Sequence, residues 1–190
     1  MKEKIIEATK RVIIKKGYQG LKVSDIAEEA KIGKGTVYLY FKDKEEIFVA
    51  LINSFFEQAN NLIKRAKERK GNGLEKLAKF IEEDLKFFEE NIDFFSVLGE
   101  DMSSFAKVLK KKWRMLILQR YLQIIDSIAS LIKICKEEGT IKNIDPREGT
   151  IILTSIIHGY VAQRIHGLDH QPLTKQAEKV LRIFLKGVEK

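Results

Sequence analysis

Cysteine is almost absent from this chain. One residue among 190, Cys135, excludes an internal disulfide framework. Its neighbours Leu131, Ile132 and Ile134 cast it as a small buried hydrophobe rather than a redox sensor. Proline is nearly as scarce, with two residues. That scarcity, beside a periodic mix of Lys, Glu, Leu and Ile, points to an all-α fold. No uninterrupted run approaches the roughly 18 apolar residues of a membrane span. The N-terminus MKEKIIEATKRVIIKKG is charged throughout, unlike a secretion signal. The expected compartment is the cytoplasm, with no membrane partner. Histidine is limited to three residues. His166 and His170, with Asp169, have a spacing that suits a metal, but Gly167 and Pro172 make this a loop and a third ligand is missing. No metal or cofactor is expected. There is no Ser-His-Asp order, Gly-rich phosphate loop or paired carboxylate set, so no enzyme is expected. Glu82, Glu83 and Asp84 read as a solvated face.

What the chain has instead is positive charge, unevenly placed. The formal net charge is +8, and residues 1–44 hold eleven Lys/Arg against six Asp/Glu. That concentration suggests a polyanionic partner for the N-terminal segment. Within it lies KVSDIAEEAKIGKGTVYLYFKDKEEI, residues 22–47. Val23, Ile26, Ala27 and Ala30 fall at helical spacing, Ile32 and Gly33 break the pattern, and Val37 and Phe41 form an i, i+4 pair on a second short helix. Thr36, Tyr38, Leu39 and Tyr40 then point elsewhere. Two helices joined by a tight Gly-containing turn on a basic segment describe a helix-turn-helix. A first helix over 2–16 precedes them, stopped by Gly17. The second lacks the usual N-cap, and Ser24 or Asp25 is placed to supply one.

GKGTVYLYFKDKEEIF, with IIEATKRVIIKKGYQGLKVSDIAEEAKI upstream of it, resembles the signature of the TetR family of bacterial one-component transcriptional repressors. The resemblance covers roughly residues 4–50. It implies an N-terminal three-helix DNA-binding domain over 1–46, an all-helical effector-binding and dimerisation domain over 47–190, a homodimer, and a near-palindromic double-stranded DNA operator. Carried over by motif position, Lys34, Gly35, Thr36 and Leu39 would face base edges. Tyr38, Tyr40 and Lys44 would grip phosphates, with Ser24 at the edge of the second helix. These residue types suit the work. Gly35 permits close backbone approach, Lys34 donates to guanine, Thr36 bonds a base or phosphate, and phenol hydroxyls with Lys44 fix position without reading sequence. Leu39 departs from the more polar residues often found there, which suits either a thymine methyl or no contact. GTVYLYFK is also similar to the fatty-acid-responsive branch of the family.

Beyond residue 46 the periodicity predicts a capped helix from Asp43 to about 70, a break at Gly71-Asn72-Gly73, a helix over 74–90, irregular or short-helical chain over 91–105, and a long helix over 107–138. A helix starting at Asp145-Pro146 and a last one capped by Thr174 complete the reading. Phe55, Leu62, Phe87, Phe94, Leu98, Met102, Phe105, Trp113, Tyr121 and His158 are candidate lining for an apolar effector pocket, and each also reads as plain core packing. The apolar stretches show no convergent cations, which favours a largely apolar effector such as a fatty acyl compound. Ile152, Ser155, Ile156 and Gly159, with Val180, Leu181 and Phe184, offer apolar faces for a four-helix dimer interface. The competing readings are a small all-helical lipid carrier or enzyme using the apolar pocket, and a DNA-binding activator without a ligand.

Overall fold

The computed structural model describes residues 1–99, 109–142 and 144–188, with residue 188 described by its backbone alone. All regular structure among the described residues is helical: α1 (Lys2–Lys16), α2 (Val23–Glu29), α3 (Lys34–Tyr40), α4 (Lys44–Glu68), α5 (Gly73–Glu90), α6 (92–99), α7 (Lys111–Glu137), α8 (Pro146–Ile165), a 3-10 turn (Leu173–Gln176) and α9 (Ala177–Val188). The contacts divide the chain into one unit of 1–56 with 93–120 and another of 57–92 with 121–190. The expected boundary at 46/47 lies inside the first of these units. The reason is local: Ile47, Phe48, Val49 and Leu51 at the start of α4 are buried, and Phe48 meets Tyr18 at 4.7 Å between ring centroids.

The first unit is organised by α1, whose Ile5, Ala8, Thr9, Val12 and Ile13 are buried at helical spacing. Gly17, at φ 65, ends it. Gly20 has no alternative, because a Cβ there would meet the Lys16 carbonyl oxygen at 2.5 Å. α2 starts at Lys22 with no side-chain cap, so neither Ser24 nor Asp25 supplies the missing N-cap. Ion pairs hold α2 to α1 instead: Arg11 and Lys15 each reach Glu29 at 2.8 Å, and Lys16 reaches Asp25 at 3.0 Å. The Lys15 hydrogen bond, then that of Arg11, keeps the Glu29 carboxyl below its ordinary pKa. In the turn to α3, the left-handed residue is Lys31, at φ 51, whereas Gly33 is an extended N-cap. The helix break is thus made two residues before the glycine. At α4 the expected cap is present: Asp43 accepts from the Glu46 N–H at 2.8 Å, and Glu46 reaches back to the Lys42 N–H at 2.7 Å.

The second unit is one apolar core. Leu77, Phe80, Ile81 and Leu85 of α5, Ile128, Leu131, Ile132 and Cys135 of α7, Leu153, Ile157 and Val161 of α8, and Val180 and Phe184 of α9 are all buried in it. Cys135 is fully buried, and burial pushes its thiol up to about 11, so it packs as a hydrophobe. Asn72 caps α5 reciprocally with Glu75, at 2.9 and 2.8 Å. Asp145 caps α8 through the Arg147 and Glu148 N–H groups at 2.9 and 3.1 Å, with Pro146 at the first helical position. The last helix departs from expectation. Leu173–Gln176 forms the 3-10 turn, anchored by the Leu173 N–H on Glu89, and α9 starts only at Ala177.

α7 also corrects the reading of hydrophobic runs. It contains an 18-residue window of mean hydropathy 1.3, long and apolar enough to cross a bilayer by length and composition. Arg120 and Gln119 interrupt the run in sequence without lowering the mean below that level. The same composition serves a core helix, and Ile125, Ile128, Ala129, Leu131, Ile132 and Cys135 are buried. Toward its start Met115, Leu118, Tyr121 and Leu122 are exposed.

Candidate nucleic-acid interface

α3 is seven residues long and buries one of them, Val37. Phe41, just past its end, is the second anchor, at 5% exposure. Everything else on the helix is offered outward. Tyr38, Leu39 and Tyr40 are 50%, 82% and 40% exposed. Lys34 and Gly35 are exposed and Thr36 is half-buried. Tyr38 and Tyr40 therefore do not hold the small domain together as core aromatics. Gly35 has no protein atom within 4 Å of where a Cβ would stand, so the fold itself does not require glycine there. Lys34 sits 6.0 Å from the Tyr38 ring centroid, at the outer limit of a cation–π contact.

Ser24 is exposed near the start of α2. Lys44 is more engaged than its sequence position implied. Its ammonium donates to the Leu21 carbonyl at 3.3 Å and lies 5.2 Å from the Tyr18 ring centroid. Tyr18, buried and close to Glu45 and Asp43, has its phenol pushed up to about 12. Of the N-terminal cations, Arg11, Lys15 and Lys16 are committed to carboxylates. Lys31, Lys34 and Lys42 are exposed on and beside α3, and Lys44 sits on a partly buried carbonyl. Such a surface, with donors, phenols and one bare backbone position around two buried anchors, can lie against phosphates and base edges.

The residues expected to line one effector pocket fall in both units. In the first unit Phe55 and Phe94 stack at 4.8 Å, with Phe95 5.4 Å from Phe55. Phe94 is fully buried, and Leu98 and Trp113 are half-buried. Among the described residues the buried Trp113 indole N–H has no hydrogen-bond partner. In the second unit Leu62 and Phe87 line a groove of about 500 Å³ between α4 and α5. The rest of that groove is Gln58, Asn61, Arg65, Lys79, Glu82, Glu83, Lys86 and Glu90, and its three cations are each paired with one of its carboxylates. Tyr121 is 44% exposed. His158 is also largely exposed, yet its ring packs edge-on to Phe88 at 5.6 Å, and the desolvation lowers its pKa. Met102 and Phe105 lie outside the described residues.

The proposed dimer faces separate cleanly. On α8, Ile152 is 38% exposed, Ser155 and Gly159 are exposed, and Ile156 is half-buried. On α9, Val180 and Phe184 are fully buried in the protomer's own core, so they cannot be offered to a partner; Leu181 is half-buried. Both faces of this amphipathic helix carry apolar residues, and the exposed one is Ile183, at 41%. Asp84 also departs from its expected solvated face. Among the described residues its carboxyl has no ion pair, and burial pushes it up to about 7. In the His166–Asp169–His170 loop, Asp169 accepts from the Gln171 N–H at 2.9 Å and from the Gln176 side chain at 3.1 Å, so its oxygens are spent on the loop.

Residues 5–51 match the model of bacterial regulatory proteins of the tetR family. The fatty acid metabolism regulator protein of Bacillus subtilis is 43% identical over 77 residues, which span 39% of this chain and 38% of that protein. A solved structure of the transcriptional regulator FadR from Bacillus subtilis in complex with stearoyl-CoA is similar at 25% identity and a TM-score of 0.80, over 98% of this chain and 99% of that one. The fatty acid degradation regulator FadR from Bacillus halodurans shares the fold at 21% identity and a TM-score of 0.83, over 99% and 96% of the two chains. α1 to α3 and the start of α4 all lie inside the segment that matches the tetR family of bacterial regulatory proteins.

Proposed function

We propose that this protein is a ligand-responsive transcriptional repressor that binds a near-palindromic operator as a homodimer and releases it on binding a small, largely apolar effector. The observation that carries the reading is α3: it buries Val37 and exposes Tyr38, Leu39 and Tyr40. A lipid carrier or enzyme has no use for that surface. Dimerisation through α8 would cover Ile151, Ile152, Ser155 and Gly159, and Ile183 of α9 would join them. A dimer places two α3 helices on two half-sites, which multiplies modest single-site affinity.

For the effector, a fatty acyl compound fits best. The FadR likeness supports it, and Leu62 and Phe87 supply apolar wall in the α4–α5 groove. Arg65, Lys79 and Lys86 there are paired with Glu83, Glu82 and Glu90, so the groove offers no surplus positive charge and its apolar wall carries the reading. Each buried methylene is worth about 0.8 kcal/mol, so several suffice for micromolar binding after association costs. α4 is one unbroken helix from Lys44 to Glu68, and a ligand that favours one of its positions would shift the spacing of the two α3 helices.

The test is a titration of acyl-CoA compounds of increasing chain length against the protein–DNA complex. DNA release at concentrations that also raise the melting temperature is the expected result. Release by a small hydrophilic metabolite and by no acyl compound would overturn the effector assignment.

A further inference from the structure

α3 turns by about 100° per residue, which places Gly35 and Leu39 each about 160° from the buried Val37, on the outermost ridge of the helix, while Thr36 and Tyr38 lie about 100° away on opposite flanks. The exposures agree with this wheel: Leu39 is 82% exposed, Tyr38 50%, and Thr36 is half-buried. When such a helix enters a groove, its ridge meets the floor and its flanks meet the walls. The ridge here has no hydrogen-bonding side chain. Gly35 contributes bare backbone with open space around it, and Leu39 projects beside that notch as an isolated apolar group. A leucine can donate or accept nothing. The only apolar feature that a major-groove floor presents is the C5 methyl of thymine.

We propose that Leu39 is a specificity-determining residue that reads a thymine methyl group in each half-site, with the bare backbone at Gly35 allowing the close approach this contact needs. This rests on α3 being the DNA-reading helix. Leu39 also disfavours cytosine at that position, because the cytosine amino group would face an apolar side chain in place of water. The recognised feature is the methyl itself, so 5-methylcytosine retains what cytosine loses.

The experiment starts from a duplex selected from a random pool by the full-length protein. Each thymine is then replaced in turn by deoxyuridine, which removes the methyl and keeps every hydrogen-bonding group. Wild-type protein should lose about fourfold in affinity at one symmetric position per half-site, the scale of one buried methyl. A second arm, 5-methylcytosine against cytosine at that position, should favour the methylated base. Leu39→Ala should bind more weakly, keep its melting temperature, and show no further loss on deoxyuridine substitution at that position. Tight selective binding with no sensitive thymine, or a sensitive thymine whose loss is unchanged in Leu39→Ala, would overturn the assignment. If the pool yields no preferred duplex, the DNA-binding reading fails before the methyl contact is reached, so the two failures are distinguishable.

Discussion

At the scale of single residues, the clearest test separates folding from binding. Gly35 stands in open space within a short exposed helix. Replacing it with Ala adds helix propensity worth up to about 1 kcal/mol and meets no protein atom. Gly35→Ala should therefore hold or raise the melting temperature while weakening DNA binding, a combination that a structural glycine would not give. Lys44 behaves differently. Its ammonium holds the Leu21 carbonyl and covers Tyr18, so Lys44→Ala should cost about 1 kcal/mol of stability. It should also reduce the slope of log affinity against log salt by about one. Asp84 gives a pH signature. Its folded-state pKa is raised, to about 7, above the ordinary carboxylate value. The folded state therefore holds the proton more tightly than the unfolded chain does. Stability is full below pH about 4 and is lost as pH rises through about 7. Asp84→Asn should raise the melting temperature at pH 8 and leave it nearly unchanged near pH 3.5; equal shifts at both pH values would contradict the burial of this carboxyl.

At the scale of elements, what could be read from sequence depended on whether the signal was local. The stops and caps at Gly17, Asp43 and Asp145 are short-range chemistry, and the structure places them as read. The seven-residue α3 was legible because Val37 and Phe41 alone interrupt an outward-facing set. The failures came where a neighbour decides. α2 has no side-chain cap because Glu29 and Asp25 dock it to α1, an interaction between residues 18 apart for Arg11 and Glu29. Asp84 looked solvated beside Glu82 and Glu83, yet it is half-buried and its carboxyl is desolvated. Val180 and Phe184 looked available to a partner because periodicity cannot say which of two apolar faces is spent inside. Asn72, unremarked in a Gly-Asn-Gly break, proves to be a reciprocal cap on α5. Asn72→Ala should cost about 0.5–2 kcal/mol by removing it, measured by urea denaturation with an unchanged slope.

At the scale of the whole molecule, the proposed dimer would couple assembly to DNA reading through symmetry. Ile152→Asp places a charge on the exposed face of α8 and should yield folded monomers by light scattering, with DNA affinity falling far below wild type. Phe184→Ala should instead act inside the protomer, at about 3–5 kcal/mol, because that ring is fully buried. Undisturbed dimers in Ile152→Asp would place the interface elsewhere. The most direct test of the central claim is the equilibrium affinity of full-length protein for its selected duplex, compared with a Lys34→Ala/Tyr38→Ala/Tyr40→Ala variant at one salt concentration. These side chains are exposed on α3, so the variant should keep the wild-type melting temperature and lose at least about a hundredfold in affinity; a variant that folds and binds as tightly as wild type would contradict the assignment of α3 as the DNA-reading helix.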